Sequence, residues 1–159
     1  PVMRLHGDRE PHTPPMSTVG GGRMASGGPN EVWSYGETLY EMCRKYMFLR
    51  ERLRPYITGL MQDAHEKGTP VIRPMFYDFP EDKNCWTLDG QYMFGGSLLV
   101  APVMEAGQRT KTVYLPAGTW YNAWTGEAVE GGRTVEADAP LTVIPVYTRD
   151  PGLLEVFKG

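Results

Sequence analysis

The sequence predicts an α+β fold, in which helix and strand segments are mixed up to residue 97 and short strands alone follow from residue 98. Between residues 31 and 67, apolar residues recur at spacings of three and four, the period of one helix face. After Ser97, brief apolar runs alternate with turns rich in Gly, Pro and Asp. The 159 residues are 41% hydrophobic, which is typical of a folded protein with a core.

Composition also excludes several function classes. The net charge is -3 and no basic patch occurs, so nucleic acid is not expected as a partner. No apolar run approaches the roughly 18 residues of a membrane span, so no membrane is expected as a partner either. Two cysteines, Cys43 and Cys85, are too few for a disulfide framework. They could pair, but lone buried thiols fit better, and these favour a reducing, cytoplasmic location.

Residues 1–30 predict an extended start followed by a long loop. Clustered prolines and glycines argue against regular structure there, and we expect the loop over 8–30 to be mobile. The first residue is Pro1 rather than methionine, and no charged and apolar leader follows it. These features favour a piece cut from a longer chain.

The apolar period predicts one long helix over 31–67. Asn30 or Ser34 would cap its start, Pro55 would kink it and Gly68 would end it. Residues 69–77 then predict a short strand whose two prolines make it irregular. A helix between two strand-like pieces indicates a βαβ unit.

The remainder predicts a small antiparallel β-sandwich. Its strands fall at 98–103, 109–115, 118–124, 134–137 and 141–147, with turn residues between them. We therefore divide the chain into a domain at 1–97 and a β-sandwich domain at 98–159.

Few residues stand out as chemical groups. His6 lies where the apolar start meets the long loop, a position from which an imidazole could bond a substrate hydroxyl or simply face solvent. Asp8 and Glu10 have nothing to fix their separation. Asp78, Glu81 and Asp82 fit a turn with helix-start charges better than an acid/base pair. No His or Cys stands at ligand spacing, so neither metal nor cofactor is assigned.

Two aromatic groups leave alternatives open. Trp33 and Tyr35 follow the loop and could either stack on a sugar face or cover the top of the helix. Trp120, Tyr121 and Trp124 could form a carbohydrate-binding platform, although such a cluster more often forms the core of a sandwich.

Ordered motifs through nearly the whole chain resemble the C-terminal part of glycoside hydrolase family 31, which includes α-glucosidases and α-xylosidases. The matching motifs are MRLHG at 3–7, GPNEVWSYGE at 28–37, RLRPYI at 52–57, HEKGTPVIRP at 65–74, QYMFG at 91–95, LLVAPV at 98–103, YLPAGTW at 114–120 and PVYTRD at 145–150. The resemblance implies a (β/α)₈ or TIM barrel followed by β-sandwich domains. Residues 1–6 would then end the seventh barrel strand, 69–77 would be the eighth, and 98–150 the first sandwich.

The resemblance also implies a function. His6 takes the place of the family's substrate-binding histidine, and Arg4 that of the arginine beside it. The family hydrolyses terminal α-linked glucose or xylose with retention, using two aspartates that lie on earlier barrel strands. This chain lacks those strands, so no catalytic residue is assigned and the isolated chain is expected to be inactive. Its expected partners are an α-linked oligosaccharide and the N-terminal remainder of the barrel. The alternative is a stand-alone carbohydrate-binding or structural module.

Overall fold

The computed structural model describes residues 13–17, 24–26 and 31–158 of the chain. The chain divides into two compact units, residues 1–53 and 54–159. Within the described residues, none of the helices is both long enough and apolar enough to cross a membrane.

The first unit contains a hairpin and a helix. Strands β1 (Thr13–Ser17) and β2 (Met24–Ser26) pair in antiparallel fashion with an irregular register. The prediction that residues 1–30 lack regular structure is therefore wrong for these two segments. Pro14 and Pro15 are tolerated because a two-stranded ribbon leaves one side of each strand unpaired, so it needs only some of the backbone donors.

The predicted long helix is present as separate segments. A 3-10 turn at Val32–Tyr35 precedes helix α1 (Glu37–Arg52), and helix α2 (Arg54–Lys67) opens the second unit. The interruption falls at Leu53, two residues before Pro55, as expected for a proline that cannot continue a helix but fits its first turn. Gly68 ends α2 with a φ of 67°, and its N–H donates to the Ala64 carbonyl at 3.1 Å.

The strand predicted over 69–77 is wrong outside β3 (Ile72–Arg73). Pro74 has extended backbone angles and precedes the short helix α3 (Met75–Asp78), so the strand stops there. β3 pairs in antiparallel fashion with β4 (Tyr92–Phe94), not in a parallel barrel sheet as the eighth strand of the resemblance would. Strand β3 therefore belongs to the larger sheet of the β domain, the domain predicted at 98–159. That sheet extends across the predicted boundary between residues 97 and 98.

The β domain consists of antiparallel sheets, as predicted. The larger sheet also contains β5 (Leu98–Val100), β7 (Thr119–Asn122), β8 (Ala128–Glu130) and β10 (Val146–Thr148), in the order β3-β4-β5-β10-β7-β8. The smaller sheet pairs β6 (Thr110–Leu115) with β9 (Arg133–Asp138). A 3-10 turn at Pro151–Leu153 and the short helix α4 (Leu154–Phe157) end the described chain.

Two details of the predicted strands are wrong. The strand predicted at 141–147 is confined to Val146–Thr148, because Pro140 begins a turn in which its carbonyl accepts the Val143 N–H at 2.8 Å. Strand β8 was not predicted, since its three residues stand between turn glycines.

Both sheets share one apolar core. Met93, Leu99 and Trp120 enter it from the larger sheet, while Val113 and Leu115 enter from the smaller one, and all five side chains are fully buried. A side-chain amide joins the sheets at the edge of this core. Gln91 donates to the Tyr114 carbonyl at 2.8 Å and accepts the Tyr114 N–H at 2.9 Å, much as a neighbouring strand would.

The turn from β8 to β9 depends on the small size of Gly131. A Cβ at this position would lie 1.9 Å from the Pro116 carbonyl oxygen, and backbone cannot yield as a flexible side chain can. We expect Gly131→Ala to lower the free energy of unfolding by about 2 kcal/mol, as overpacking does elsewhere. Urea unfolding followed by circular dichroism measures the change.

Gly59→Ala is the matched control for this prediction. Gly59 lies within α2 and has open space around it. The same substitution there should stabilise the protein by up to about 1 kcal/mol through helix propensity. Equal losses at both positions would contradict the close contact at Gly131.

Candidate functional site

The residues predicted to bind substrate, His6 and Arg4, lie outside the described residues, as do Asp8 and Glu10. Trp33 and Tyr35 are described, and they are 68% and 38% exposed. Their exposure leaves both interpretations of this aromatic pair open. The second unit contains the remaining candidates, and its structure assigns a partner to most of them.

Two members of the acidic group at 78–82, Asp78 and Asp82, are held by structural contacts, whereas Glu81 is exposed. Arg73 donates from Nη1 to Asp78 Oδ1 at 2.8 Å and from Nε to the Pro70 carbonyl at 2.7 Å. The two side chains are only 10% and 11% exposed, so this is a nearly buried ion pair. The other oxygen, Asp78 Oδ2, is buried without a hydrogen-bond partner among the described residues. The pair fastens α3 to β3, which agrees with the turn interpretation of these charges.

Asp82 is the centre of a second polar cluster. Its Oδ1 accepts the Asn84 N–H at 3.0 Å, and its Oδ2 accepts the Tyr114 hydroxyl proton at 2.7 Å. The hydrogen bond from Tyr114 is the main reason that the pKa of Asp82 lies below its usual value. Asp82 is therefore ionised at neutral pH and is unsuited to donate a proton to a leaving group.

Cys85 lies fully buried beneath this cluster. Burial, followed by the nearby charge of Asp82, raises the pKa of the Cys85 thiol to about 11. Both Cys43 and Cys85 are free, as expected for lone thiols, but only Cys85 is buried, and the prediction of burial is wrong for the partly exposed Cys43.

Of the three aromatics on β7 and in the turn after it, Trp120 is absent from the surface, while Tyr121 and Trp124 are partly exposed. Trp120 is fully buried, its Nε1 donates to the Pro116 carbonyl at 2.8 Å, and Phe79 and Arg149 pack against its ring. The core interpretation is thus confirmed for Trp120. Trp124 is half-buried, stands edge-on to Phe157 at 5.2 Å and donates from Nε1 to the Ile144 carbonyl at 2.8 Å.

An open cleft of about 430 Å³ lies between β8 of the larger sheet and β9 of the smaller one. Its lining residues include Trp124, Glu127, Asp138 and Tyr147. Tyr147 is 4% exposed, and its hydroxyl makes no hydrogen bond within the described part of the chain. Burial first, and then the charges of Glu127 and Asp138, raise the pKa of Tyr147.

Sequence reasoning missed this cleft. Tyr147 belongs to an apolar run, and nothing local distinguishes it from a core tyrosine. Glu127 follows a turn, and Asp138, 11 residues further along the chain, ends strand β9. Only the packing of the two sheets brings them to the same tyrosine.

Comparison with known proteins identifies the family. Residues 68–152 match the model of the glycosyl hydrolase family 31 C-terminal domain. This chain belongs to glycoside hydrolase family 31. The match begins at Gly68 and covers both sheets, so the antiparallel β domain is the C-terminal domain of that family.

Individual relatives agree. The chain is 35% identical over 119 residues to α-glucosidase 2 of Bacillus thermoamyloliquefaciens, covering 75% of this chain and 15% of that protein. It is 39% identical over 127 residues to an α-xylosidase of Saccharolobus solfataricus, covering 79% and 17%. A crystal structure of a family 31 α-xylosidase from a soil metagenome, complexed with xylose, matches with a TM-score of 0.89 and 45% identity.

That structural match covers 98% of this chain and 24% of the α-xylosidase. The chain therefore spans a quarter or less of the length of these relatives.

The Arg73–Asp78 pair gives a test of its structural role. We expect Asp78→Asn to cost about 3 kcal/mol in unfolding free energy, because it leaves the Arg73 guanidinium buried without its counter-charge. Asp63→Asn, which breaks an exposed i,i+4 pair with Lys67, should cost less than about 0.5 kcal/mol. Guanidinium unfolding measures both changes in the free energy of unfolding. Losses of similar size would contradict the larger stabilisation expected from the buried Arg73–Asp78 pair.

Cys85 gives a second test, by chemical labelling. At pH 8, iodoacetamide should modify Cys43 of the native chain and leave Cys85 intact, because the Cys85 thiol is inaccessible and remains protonated. Peptide mass spectrometry measures the two yields. Labelling in denaturant is the control and should modify both residues, whereas equal labelling of the native chain would contradict the burial of Cys85.

Proposed function

We propose that this chain is the C-terminal portion of a retaining α-glycoside hydrolase that acts on terminal α-linked glucose or xylose. The observation that carries the proposal is the match over 98% of the chain to an α-xylosidase whose crystal structure holds xylose. Identity of 45% along this match is well above the level at which only a fold is shared. The matched α-glucosidase leaves glucose open beside xylose.

Within this proposal, His6 and Arg4 bind the sugar. A histidine can donate to or accept from a sugar hydroxyl, and an arginine presents several donors in a fixed arrangement. Both stand in the MRLHG motif, within the part of the chain that the family resemblance assigns to the end of a barrel strand. Barrel enzymes place their functional side chains at such strand ends.

The proposal assigns hydrolysis to a longer protein and inactivity to the isolated chain. A retaining mechanism needs a nucleophilic carboxylate and an acid/base carboxylate about 5 Å apart. Asp78 and Asp82, of the acidic group at 78–82, are held by Arg73 and by Tyr114. The family aspartates are expected on earlier barrel strands, on the N-terminal remainder that would complete the site. The predicted cytoplasmic location remains part of this proposal and rests on the two free thiols.

A chromogenic assay tests the proposal directly. The purified chain should release no nitrophenol above background from nitrophenyl α-glucoside or α-xyloside. An antibody to the chain should detect a species several times larger than 17.8 kDa in the source cells, and that species should cleave one of the two substrates.

His6→Ala in the larger protein is the matched variant, and it should reduce kcat/KM by at least tenfold through the lost hydroxyl contacts. Turnover by the chain alone would overturn the proposal. A native product of only 17.8 kDa would favour a stand-alone carbohydrate-binding or structural module instead.

A further inference from the structure

The cleft between β8 and β9 has the hydroxyl of a largely buried tyrosine in its wall. Tyr147 is 4% exposed, and its hydroxyl makes no hydrogen bond to any described residue. Among the described side chains, Asp78 Oδ2 is the one buried polar atom that lacks a partner, so the Tyr147 hydroxyl reaches the solvent of the cleft. A hydroxyl that lines an open cleft and has no protein partner is available to a ligand.

The surroundings of Tyr147 narrow the class of ligand. Glu127 and Asp138 line the same cleft and act electrostatically on the phenol, so acceptors stand near it. Trp124 and several apolar residues supply the rest of the wall, namely Val129, Val135, Pro140, Val143 and Pro145. A ligand that suits this lining has hydroxyl donors on one side and apolar C–H surface on the other, which describes a saccharide.

Other ligand classes fit less well. The lining contains no Lys, Arg or His, so an anion would have no counter-charge. Among the described residues, no three His, Cys, Asp or Glu side chains come together closely enough to hold a metal ion. The volume of about 430 Å³ lies within the usual range for small-molecule sites.

We propose that this cleft binds an α-linked oligosaccharide, with the Tyr147 hydroxyl and the carboxylates of Glu127 and Asp138 bonding its hydroxyls and Trp124 contacting its apolar face. The α-linkage rests on the proposed function, whereas the saccharide class rests on the lining of the cleft. Binding here is independent of hydrolysis, because the cleft belongs wholly to the second unit.

The test uses the 159-residue chain carrying His6→Ala and Arg4→Ala, so that the sugar contacts of the proposed function are absent. Isothermal titration with maltotriose should give saturable binding in the millimolar range. Adding Tyr147→Phe should weaken this binding about three- to tenfold, the loss expected for one neutral hydrogen bond. Asp138→Asn should weaken it as well.

Tyr92→Phe is the matched control, because Tyr92 is a half-buried tyrosine of β4 that does not line the cleft. It should leave the affinity unchanged, and thermal unfolding checks that every variant is folded. Saturable binding that Tyr147→Phe leaves intact, no binding at about 50 mM sugar, or equal effects of the two tyrosine variants would overturn the proposal. Equally tight binding of the diamine cadaverine in competition with the sugar would also overturn the proposal, because the carboxylates of Glu127 and Asp138 would then be attracting a cation rather than selecting a saccharide. Binding lost only when His6 and Arg4 are replaced would instead support the proposed function and reject the cleft.

Discussion

The packing of the β domain depends on the burial of one side chain, Trp120. A buried indole removes a large apolar area from water, but its N–H must still find an acceptor. The Pro116 carbonyl supplies that acceptor at 2.8 Å, which fixes the turn between β6 and β7. Residues from both sheets surround the ring in one core, so the position of Trp120 determines how the sheets face each other.

Polar side chains extend this arrangement to the edges of the domain. The Arg149 guanidinium lies 5.9 Å from the centre of the Trp120 ring and donates twice to the Gly96 carbonyl, at 2.7 and 3.0 Å. The Gln91 side chain bonds the backbone N–H and carbonyl of Tyr114 in β6, as a neighbouring strand would. Tyr56 of α2 donates to the Phe94 carbonyl at 2.7 Å and so holds this helix against β4. Hydrogen bonds of this kind contribute modestly each, but leaving any of these groups unpaired would be costly.

The pairing of buried polar groups also limits which side chains can act on a ligand. Asp78 and Asp82 fit a turn better than an acid/base pair in the sequence, and the structure agrees, because one neutralises a buried arginine and the other accepts a tyrosine hydroxyl proton. Tyr147 is the contrasting case, because it is buried like a core residue and still offers a hydroxyl. Both carboxylates therefore support the β domain, whereas the Tyr147 hydroxyl is the group that we propose meets a ligand.

The sequence by itself determined the elements whose signals are local. The helical period, Pro55 and Gly68 predicted the helices and where they stop, and alternation with turn residues predicted most strands of the β domain. The ordered motifs identified the family, because many short matches at fixed spacing need no knowledge of contacts. His6 and Arg4 stay predictions, since they lie outside the described residues.

Tertiary structure alone decided the features that depend on distant partners. Residues 69–77 read as a strand, but the antiparallel partner Tyr92–Phe94 and the turn at Pro74 reduce them to two strand residues. The sequence did not predict the cleft, because Glu127, Asp138 and Tyr147 come from separate segments. Periodicity records which way a side chain points along its own strand, whereas a site requires knowing which strand lies opposite.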